Sequence, residues 1–461
     1  MALAQTSESV LHAITPGHCE DLYYPGSTNT AVQCYNALND NRFTVSLPSV
    51  TQGSTSQIIF NPAQGLSDII ITAQIPPRVA GGTWDGWALP QGWLAAMVNT
   101  VALRVGGSSL YYFTGDQILV DTIQECENGG KAQAVFNLAG SALGSGTIGS
   151  SGGTAASVTA WPTVAGDPAL SASIYLKMPF NSISSFQKPC PLPTDLLTQP
   201  VQFLITWKNF SDVAFQFASP SGGVLPTAFT SVNAQFRQTT MVNSEHLLSR
   251  KEDMNSKMLV FPLRSFAQTA FRTQTPITAG VNVAINATGL RSGSIKFIDF
   301  YVTSPSVSGA GNNWNFIPVQ QLQMLVNGLI YYDSAGSNNQ LWNLCDSQLP
   351  LQVATTAYTS SATPITSSTT LNAVVGTMPF YRLQLGQRPQ PLAYESEMSL
   401  GLNIANSVVN INFTANTTVS NATVTLVYHY ASNLIATKGK RSKRTPAHAA
   451  MKSIGSTVLV N

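Results

Sequence analysis

Residues 101–112 read VALRVGGSSLYY, and residues 324–332 read MLVNGLIYY. Each segment consists of a short apolar strand, a Gly-Gly or Asn-Gly pair, and a second strand that contains Tyr-Tyr. These dipeptides are strong signals for a two-residue β-hairpin turn, because both central residues of such a turn need a positive φ. The recurrence predicts that the chain contains one β unit twice.

Two other segments recur in the same order. Residues 65–76, GLSDIIITAQIP, match residues 293–305, GSIKFIDFYVTSP, and each segment is a predicted strand that ends at a proline. Met-Pro-Phe occurs at residues 178–180 and again at residues 378–380. Three matches in one order favour an internal duplication over chance similarity between β segments.

Low-complexity stretches separate the second and third matches in each half. Residues 139–157 are rich in Gly, Ser and Ala, and the shorter stretch 354–370 is rich in Thr, Ser and Ala. Neither stretch has enough large apolar side chains to form a core, so we expect both to be surface loops. Their different lengths account for the changing distance between the matched segments.

The rest of the chain has the pattern of an all-β protein. Short apolar or alternating runs, separated by Gly, Pro, Asn and Ser, predict strands near 43–47, 66–75, 101–105, 201–207, 213–217, 281–285, 295–302, 322–326, 400–404, 408–413 and 424–430. Helices are expected only near 93–97, 114–127 and 244–254. Two β units of about 200 residues each are large for immunoglobulin-like sandwiches and fit jelly rolls with long loops.

We therefore expect two tandem eight-stranded jelly rolls with long loops and few short helices. The predicted organisation is an N-terminal arm (1–41), a first jelly roll (42–240), a connector (241–257), a second jelly roll (258–432) and a basic C-terminal tail (433–461). The charge-rich segment 244–254 lies in the connector.

The composition indicates a protein whose surface is covered by neighbours. Hydrophobic residues make up 44% of the chain and charged residues only 10%, against about 25% charged in an ordinary soluble domain. No apolar run reaches the roughly 18 residues of a membrane-spanning helix, and no secretory signal is expected at the N-terminus. The five cysteines lack metal-ligand spacing, and we expect reduced thiols, although a bond between Cys19 and Cys34 stays open.

The duplicated unit, and above all residues 101–112 with their partner 324–332, resembles the double jelly-roll major capsid proteins of the adenovirus and tailless-phage lineage. This lineage includes the capsid proteins of polinton-like viruses, virophages and large DNA viruses of eukaryotes. The resemblance covers most of residues 42–432. It implies a structural protein whose homotrimers form pseudo-hexagonal capsomers that tile an icosahedral virion shell.

The resemblance also implies partners and a location. The partners would be further copies of the chain, together with penton and minor capsid proteins. The location would be the virion, with assembly in the host cell, where the nucleus is one candidate compartment.

No pattern in the sequence indicates catalysis, a cofactor or a metal. His12, His18 and Cys19 are neighbours but form no ligand motif. The acidic residues of segment 114–127 are interpreted as a solvated helix face; they are Asp116, Asp121, Glu125 and Glu127. Trp84, Trp87 and Trp93 predict loop packing or a subunit contact, with a sugar-binding platform as the weaker alternative.

A compact basic run follows the last predicted strand. It consists of Lys438, Lys440, Arg441, Lys443 and Arg444, and no acidic residue follows Glu397. A nuclear import signal is the favoured interpretation. Contact inside the shell with the genome or with an internal membrane, and a solvated end without further function, stay open.

Two other functions compete with the capsid interpretation. A two-domain jelly-roll protein that binds carbohydrate or a receptor should have an aromatic or metal-lined pocket. A carbohydrate-active hydrolase should have paired carboxylates in a cleft. The low charge and the basic tail disfavour both, and we expect the chain not to be an enzyme.

Overall fold

The computed structural model describes part of the chain of 461 residues. These are residues 38–60, 65–77, 79, 81–84, 87–89, 92–105, 108–124, 138–140, 143–144, 159–160, 170–177, 200–216, 223–241, 259–272, 276–287, 294–303, 317, 319–334, 351–354, 373–376, 380–385, 402–403, 407–415, 418–438, 449–454 and 459–460. No helix among them is long and apolar enough to cross a membrane.

The described residues of the first unit form eight main strands. They are β1 (Leu38–Leu47), β2 (Thr55–Phe60), β3 (Gly65–Ile75), β5 (Val98–Val105), β6 (Ser108–Thr114), β9 (Leu170–Lys177), β10 (Val201–Trp207) and β12 (Ser231–Met241). Four two-residue strands accompany them: β4 (Trp87–Ala88), β7 (Leu143–Gly144), β8 (Thr159–Ala160) and β11 (Phe215–Gln216). The described residues also form the helices α1 (Trp93–Met97) and α2 (Gly115–Gln124) and a 3₁₀ turn (Phe210–Asp212).

The second unit also has eight main strands. They are β13 (Leu259–Arg272), β14 (Asn282–Ala287), β15 (Ser294–Thr303), β16 (Val319–Val326), β17 (Leu329–Asp333), β20 (Phe380–Gln384), β22 (Val409–Ala415) and β23 (Thr423–Lys438). The shorter or peripheral strands are β18 (Leu351–Ala354), β19 (Ala373–Gly376), β21 (Leu402–Asn403), β24 (Ala449–Ile454) and β25 (Leu459–Val460).

Both units have the same sheet topology. The first unit has two antiparallel sheets with the orders β1-β12-β3-β9 and β2-β10-β5-β6. The second unit has the orders β13-β23-β15-β20 and β14-β22-β16-β17. Counted along each unit, the main strands therefore pair as 1-8-3-6 and 2-7-4-5, the double Greek key of a jelly roll. The predicted fold class and the duplication are confirmed.

Alternation along the strands places one face of each sheet in a core. In β10, Val201, Phe203, Ile205 and Trp207 are all buried and the residues between them are half-buried. The equivalent strand β22 shows the same pattern. Burying each large apolar side chain contributes about 1.5–3 kcal/mol, so the period of two fixes which face of each strand turns inward.

The repeated hairpin forms in both units. Val105 pairs with Ser108, and Val326 pairs with Leu329, so each turn has two central residues. In the second unit Asn327 has φ 52° and Gly328 has φ 82°. Two successive positive φ angles are what a type I′ turn requires, and the prediction from Asn-Gly is confirmed.

The third sequence match does not mark equivalent places. Met178 directly follows β9, the sixth main strand of its unit, whereas Met378 precedes β20, the sixth main strand of the other unit. One Met-Pro-Phe segment therefore lies at the end of the sixth main strand, and the other lies at the start of the equivalent strand. This match is a coincidence, and the duplication depends on the other two matches and on the topology.

The predicted strand at 213–217 is wrong at its start. The backbone N–H of Asn209 donates to Asp212 Oδ2 at 3.2 Å, and the N–H of Ala214 donates to the Phe210 carbonyl at 2.7 Å. These local hydrogen bonds close a helical turn, which leaves only Phe215–Gln216 as a strand. The helix predicted at 244–254 lies outside the described residues, and the proposed domain boundaries stay a prediction.

Candidate structural site: a buried ion-pair cluster between the two units

In the sheet β13-β23-β15-β20, most of the described side chains of β15, β20 and β23 are buried, on both faces. Along β15, Ile298, Phe300 and Val302 point into the core of the second unit. The alternate residues Asp299 and Tyr301 are each only 1% exposed, although they face the other way. The outer face of this sheet is therefore covered by another part of the molecule.

The covering part belongs to the first unit. Tyr301, Phe380 and Val427, which come from three adjacent strands of the second unit, pack in the same apolar cluster as the buried residues of α1 and α2. Helix α2 follows β6 directly, and its first residue is Gly115. A Cβ there would overlap the carbonyl oxygens of Ala95 and Val98, so only glycine allows α2 to approach the end of α1 this closely.

A bidentate ion pair lies in this covered face. Asp299 and Arg382 are directly opposite each other on β15 and β20. Arg382 Nε donates to Asp299 Oδ1 at 2.7 Å, and Nη2 donates to Oδ2 at 2.9 Å. Two parallel hydrogen bonds between guanidinium and carboxylate form the strongest common type of ion pair, and they fix the orientation of both side chains.

The ion pair extends across the two units. Arg382 Nη2 also donates to Oδ1 of Asp121, on α2 of the first unit, at 3.4 Å. His429 Nε2, on β23, lies 2.8 Å from Asp299 Oδ2. We call Asp121, Asp299, Arg382 and His429 the buried cluster; each residue is at most 7% exposed. Asp121 is the member that connects the first unit to the second.

An aromatic ring completes the surroundings of the cluster. The Phe297 ring stacks on the His429 ring with centroids 4.1 Å apart and an interplanar angle of 29°. The Arg382 guanidinium carbon lies 3.9 Å from the Phe297 ring centroid. A cation over an aromatic face is attracted by the ring quadrupole, so Phe297 stabilises the guanidinium.

The electrostatics favour ionised side chains at both ends of the pair. Burial alone would raise the pKa of Asp299, but the charges and hydrogen bonds of Arg382 and His429 outweigh burial and hold that pKa well below its usual range. For Arg382, burial alone would lower the pKa, but the charges and hydrogen bonds of Asp299 and Asp121 outweigh it and raise that pKa. A charge that loses its partner here would have no water to replace it.

The buried cluster contains the residue types of a metal site, but its carboxylates already bind a cationic side chain. Three possible ligand atoms, one from each of Asp121, Asp299 and His429, lie within 4.8 Å of one another. However, the Arg382 guanidinium already binds both carboxylates and uses both oxygens of Asp299. A metal ion would have to displace this cation or lie against it, so we interpret the three residues as ion-pair partners of Arg382.

The sequence predictions for these residues need one correction. Asp121 was expected on a solvated helix face, but it is 7% exposed and paired with Arg382. Asp116 is half-buried, and Glu125 and Glu127 lie outside the described residues. Asp299 and His429 were missed, although each is a lone polar residue in an apolar strand run, FIDFYV or LVYHY.

The tryptophans pack in the interior. Trp84 is 0% exposed and Trp93 is 1% exposed, and Trp84 meets Phe210 edge to face with centroids 5.3 Å apart. A ring covered on both faces cannot stack on a sugar. Trp87 is half-buried and packs against the same core. The packing interpretation is therefore confirmed for Trp84 and Trp93.

The basic run lies at the end of the last main strand. Lys438 is the final residue of β23 and pairs with Ala449, the first residue of β24. The other four members, Lys440, Arg441, Lys443 and Arg444, lie outside the described residues. The same holds for His12, His18 and all five cysteines.

Replacing Arg382 by methionine is expected to lower the free energy of unfolding by about 3–5 kcal/mol, because it leaves two carboxylates buried without their cation. Differential scanning calorimetry measures the loss. Arg104→Met is the matched control: Arg104 is exposed on β5, and its loss should change stability by less than about 0.5 kcal/mol. Equal effects of the two substitutions would contradict the role of the buried cluster.

The depressed pKa of Asp299 predicts a specific pH dependence. A carboxyl whose pKa is lower in the folded state contributes stability that is present above its unfolded-state pKa of about 3.9 and is lost as pH falls toward the folded-state value. The stability difference between the wild type and Asp299→Asn should therefore be constant near neutrality and narrow below about pH 4. Urea titrations at several pH values measure it; a difference that stays constant to pH 3 would refute this assignment.

Comparison with known proteins finds likeness in structure only. No protein-family model and no curated protein sequence matches the chain. Among solved structures, VP54 of the virus PBCV-1, fitted into a reconstruction of the virophage Sputnik, has a TM-score of 0.58 at 11% identity and covers 90% of this chain and 96% of its own. A capsid model of PBCV-1 has a TM-score of 0.53 at 10% identity, over 86% and 94%. The chain therefore has the double jelly-roll fold of viral major capsid proteins.

Proposed function

We propose that this protein is a major capsid protein, a structural subunit and not an enzyme. The observation that carries the proposal is the joining of two jelly rolls of identical topology by the buried cluster. A shell needs subunits whose contact surfaces keep a fixed relative orientation. The fold likeness to VP54 over nine-tenths of the chain supports the same function.

In this proposal three copies form one capsomer. Each chain contributes two similar β units, so a closed ring of three chains presents six similar units and has a pseudo-hexagonal outline. Head-to-tail contacts close into rings when the rotation between neighbours allows it. Such blocks can tile the flat facets of an icosahedral shell, with penton and minor capsid proteins at the vertices and seams.

The surface composition supports burial against neighbours. Only 10% of the residues are charged, and removing a charge from water is much costlier than removing a neutral polar group that finds a hydrogen bond. Half-buried Thr72 and Ser173 are hydrogen-bonded to each other at 2.9 Å across β3 and β9. Similarly, Ser231 donates to Gln74 Oε1 at 2.8 Å. Surfaces of this kind can be covered at a small electrostatic cost.

The basic run is proposed to act in nuclear import and in contacts inside the shell, and not in contacts between neighbouring subunits. Five basic residues within seven positions suit a nuclear import signal, which places assembly in the host nucleus. After assembly the same charges can attract nucleic acid or anionic lipid on the inner side of the shell. Both functions depend on positive charge and not on a particular fold.

A two-domain carbohydrate- or receptor-binding protein remains the alternative function. Its strongest sequence support was the group of tryptophans, and Trp84 and Trp93 are buried in the core of the first unit. The aromatic platform that such a function needs is therefore not formed by these two rings.

The oligomeric state tests the proposal. Light scattering after size-exclusion chromatography should give a stable species near three times the chain mass of 49.1 kDa. A monomer at micromolar concentration would contradict the capsomer proposal and direct attention to glycan binding.

The tail can be tested separately from assembly. Replacing Lys438, Lys440, Arg441, Lys443 and Arg444 by glutamine in a fluorescent fusion should abolish nuclear accumulation and leave the trimer mass unchanged. Replacing Lys452 alone is the control, because Lys452 is basic but lies outside the run. Unchanged nuclear accumulation of the fivefold variant would refute the import signal.

A further inference from the structure

The buried cluster brings two carboxylates to one guanidinium. Asp299 and Asp121 both accept hydrogen bonds from Arg382, and each of the three residues is at most 7% exposed. With all three side chains ionised, the group carries one negative charge in excess. An excess charge that is held away from water is costly. A second cation at this place would therefore stabilise the contact between the two units.

His429 is in position to supply this cation. Its Nε2 atom lies 2.8 Å from Oδ2 of Asp299, and the residue is 1% exposed. An ionised carboxylate can only accept hydrogen bonds, so Nε2 carries a proton and donates it. A further proton on Nδ1 makes the ring an imidazolium ion and brings the total charge of the buried cluster to zero.

The Phe297 ring lies against both basic side chains of the buried cluster. It stacks on the His429 ring with centroids 4.1 Å apart, and the Arg382 guanidinium carbon lies 3.9 Å from its centroid. The face of an aromatic ring attracts cations, and the attraction is stronger when water is excluded. This contact favours the charged form of the imidazole over the neutral form.

The three hydrogen bonds of Arg382 differ in length. Those to Asp299 measure 2.7 and 2.9 Å, whereas the bond to Asp121, which joins the two units, measures 3.4 Å. A positive charge on His429 neutralises Asp299 in part and leaves more of the guanidinium charge for Asp121. Without that charge, one guanidinium has to compensate two buried carboxylates, and the longest of the three bonds is weakened most.

We propose that His429 is a proton-dependent switch of the contact between the two jelly rolls: its protonated ring completes the buried cluster, and loss of that proton weakens the bond between Arg382 and Asp121. An imidazolium ion held by a buried carboxylate contributes stability that is fully present below the unfolded-state pKa of histidine, about 6.5. The contribution is lost as pH rises through the higher folded-state value. Alkaline pH therefore loosens the fixed orientation of the two units.

The other charged or titratable residues on the elements packed against His429 belong to types whose ordinary pKa values lie outside the range pH 6–9. Burial raises the pKa of the Tyr301 hydroxyl further above this range. A change in stability of the buried cluster between pH 6 and pH 9 therefore reports on the histidine. Besides the members of the cluster, these residues are Arg264 on β13, Lys296 and Tyr301 on β15, and Asp116 on α2.

Asp121→Asn tests the switch, because it removes the first unit's charge and keeps the size of the side chain. At pH 6 it leaves an excess positive charge in the buried cluster and should raise the unfolding equilibrium constant. At pH 9, where the histidine is neutral, the remaining charges of Asp299 and Arg382 balance, so the substitution should have little effect. The ratio of variant to wild-type unfolding constants should thus fall about tenfold or more from pH 6 to pH 9. Urea titrations at one protein concentration measure it.

His429→Gln is the control, because glutamine can donate a hydrogen bond to Asp299 but does not titrate. In this background Asp121→Asn should have the same effect at pH 6 and at pH 9. An effect of Asp121→Asn on the otherwise wild-type chain that is equal at the two pH values would overturn the switch, and this comparison does not require His429→Gln to fold. A pH dependence that persists in the His429→Gln background would overturn the assignment to His429.

Discussion

The ion pair between Asp299 and Arg382, both in the second unit, holds Arg382 in position to bind Asp121 of the first unit. Both side chains are almost completely buried, and a buried charge without its partner costs several kcal/mol. Because Arg382 also binds Asp121 of the first unit, a relative movement of the two jelly rolls would separate charges that are almost completely buried. The relative orientation of the units is therefore specified by chemistry as well as by apolar packing.

This constraint explains several local features. Glycine at position 115 lets α2 approach α1, and α2 then presents Asp121 to the second unit. The described parts of β15, β20 and β23 bury mostly apolar side chains on both faces, because they contribute to the core of one unit and to the contact with the other. The equivalent sheet of the first unit has a polar outer side. The outer faces of the two equivalent sheets thus differ in polarity as their surroundings differ.

Much of the fold was predictable from the sequence, and the buried cluster was not. The hairpins were recognisable because Gly-Gly and Asn-Gly act locally, and strands such as Val201–Trp207 follow directly from alternation. The contact that joins the units links two residues 261 positions apart, Arg382 and Asp121, which no local pattern connects. The amphipathic pattern of α2 predicted its helix. However, the sequence of a helix does not distinguish an aspartate that faces solvent from one that pairs with a buried arginine. The Met-Pro-Phe match was wrong as a sign of equivalent positions, because a match of three residues can occur by chance.

A double-mutant cycle between Asp121 and Arg382 tests most directly whether the cluster connects the two units. The free energy of unfolding is measured for the wild type, Asp121→Asn, Arg382→Gln and the double variant. Residues in direct contact within one ion-pair network should show a coupling energy of about 0.5–3 kcal/mol. Additive effects, with a coupling energy of zero within error, would contradict the claim that this contact fixes the two jelly rolls in one orientation.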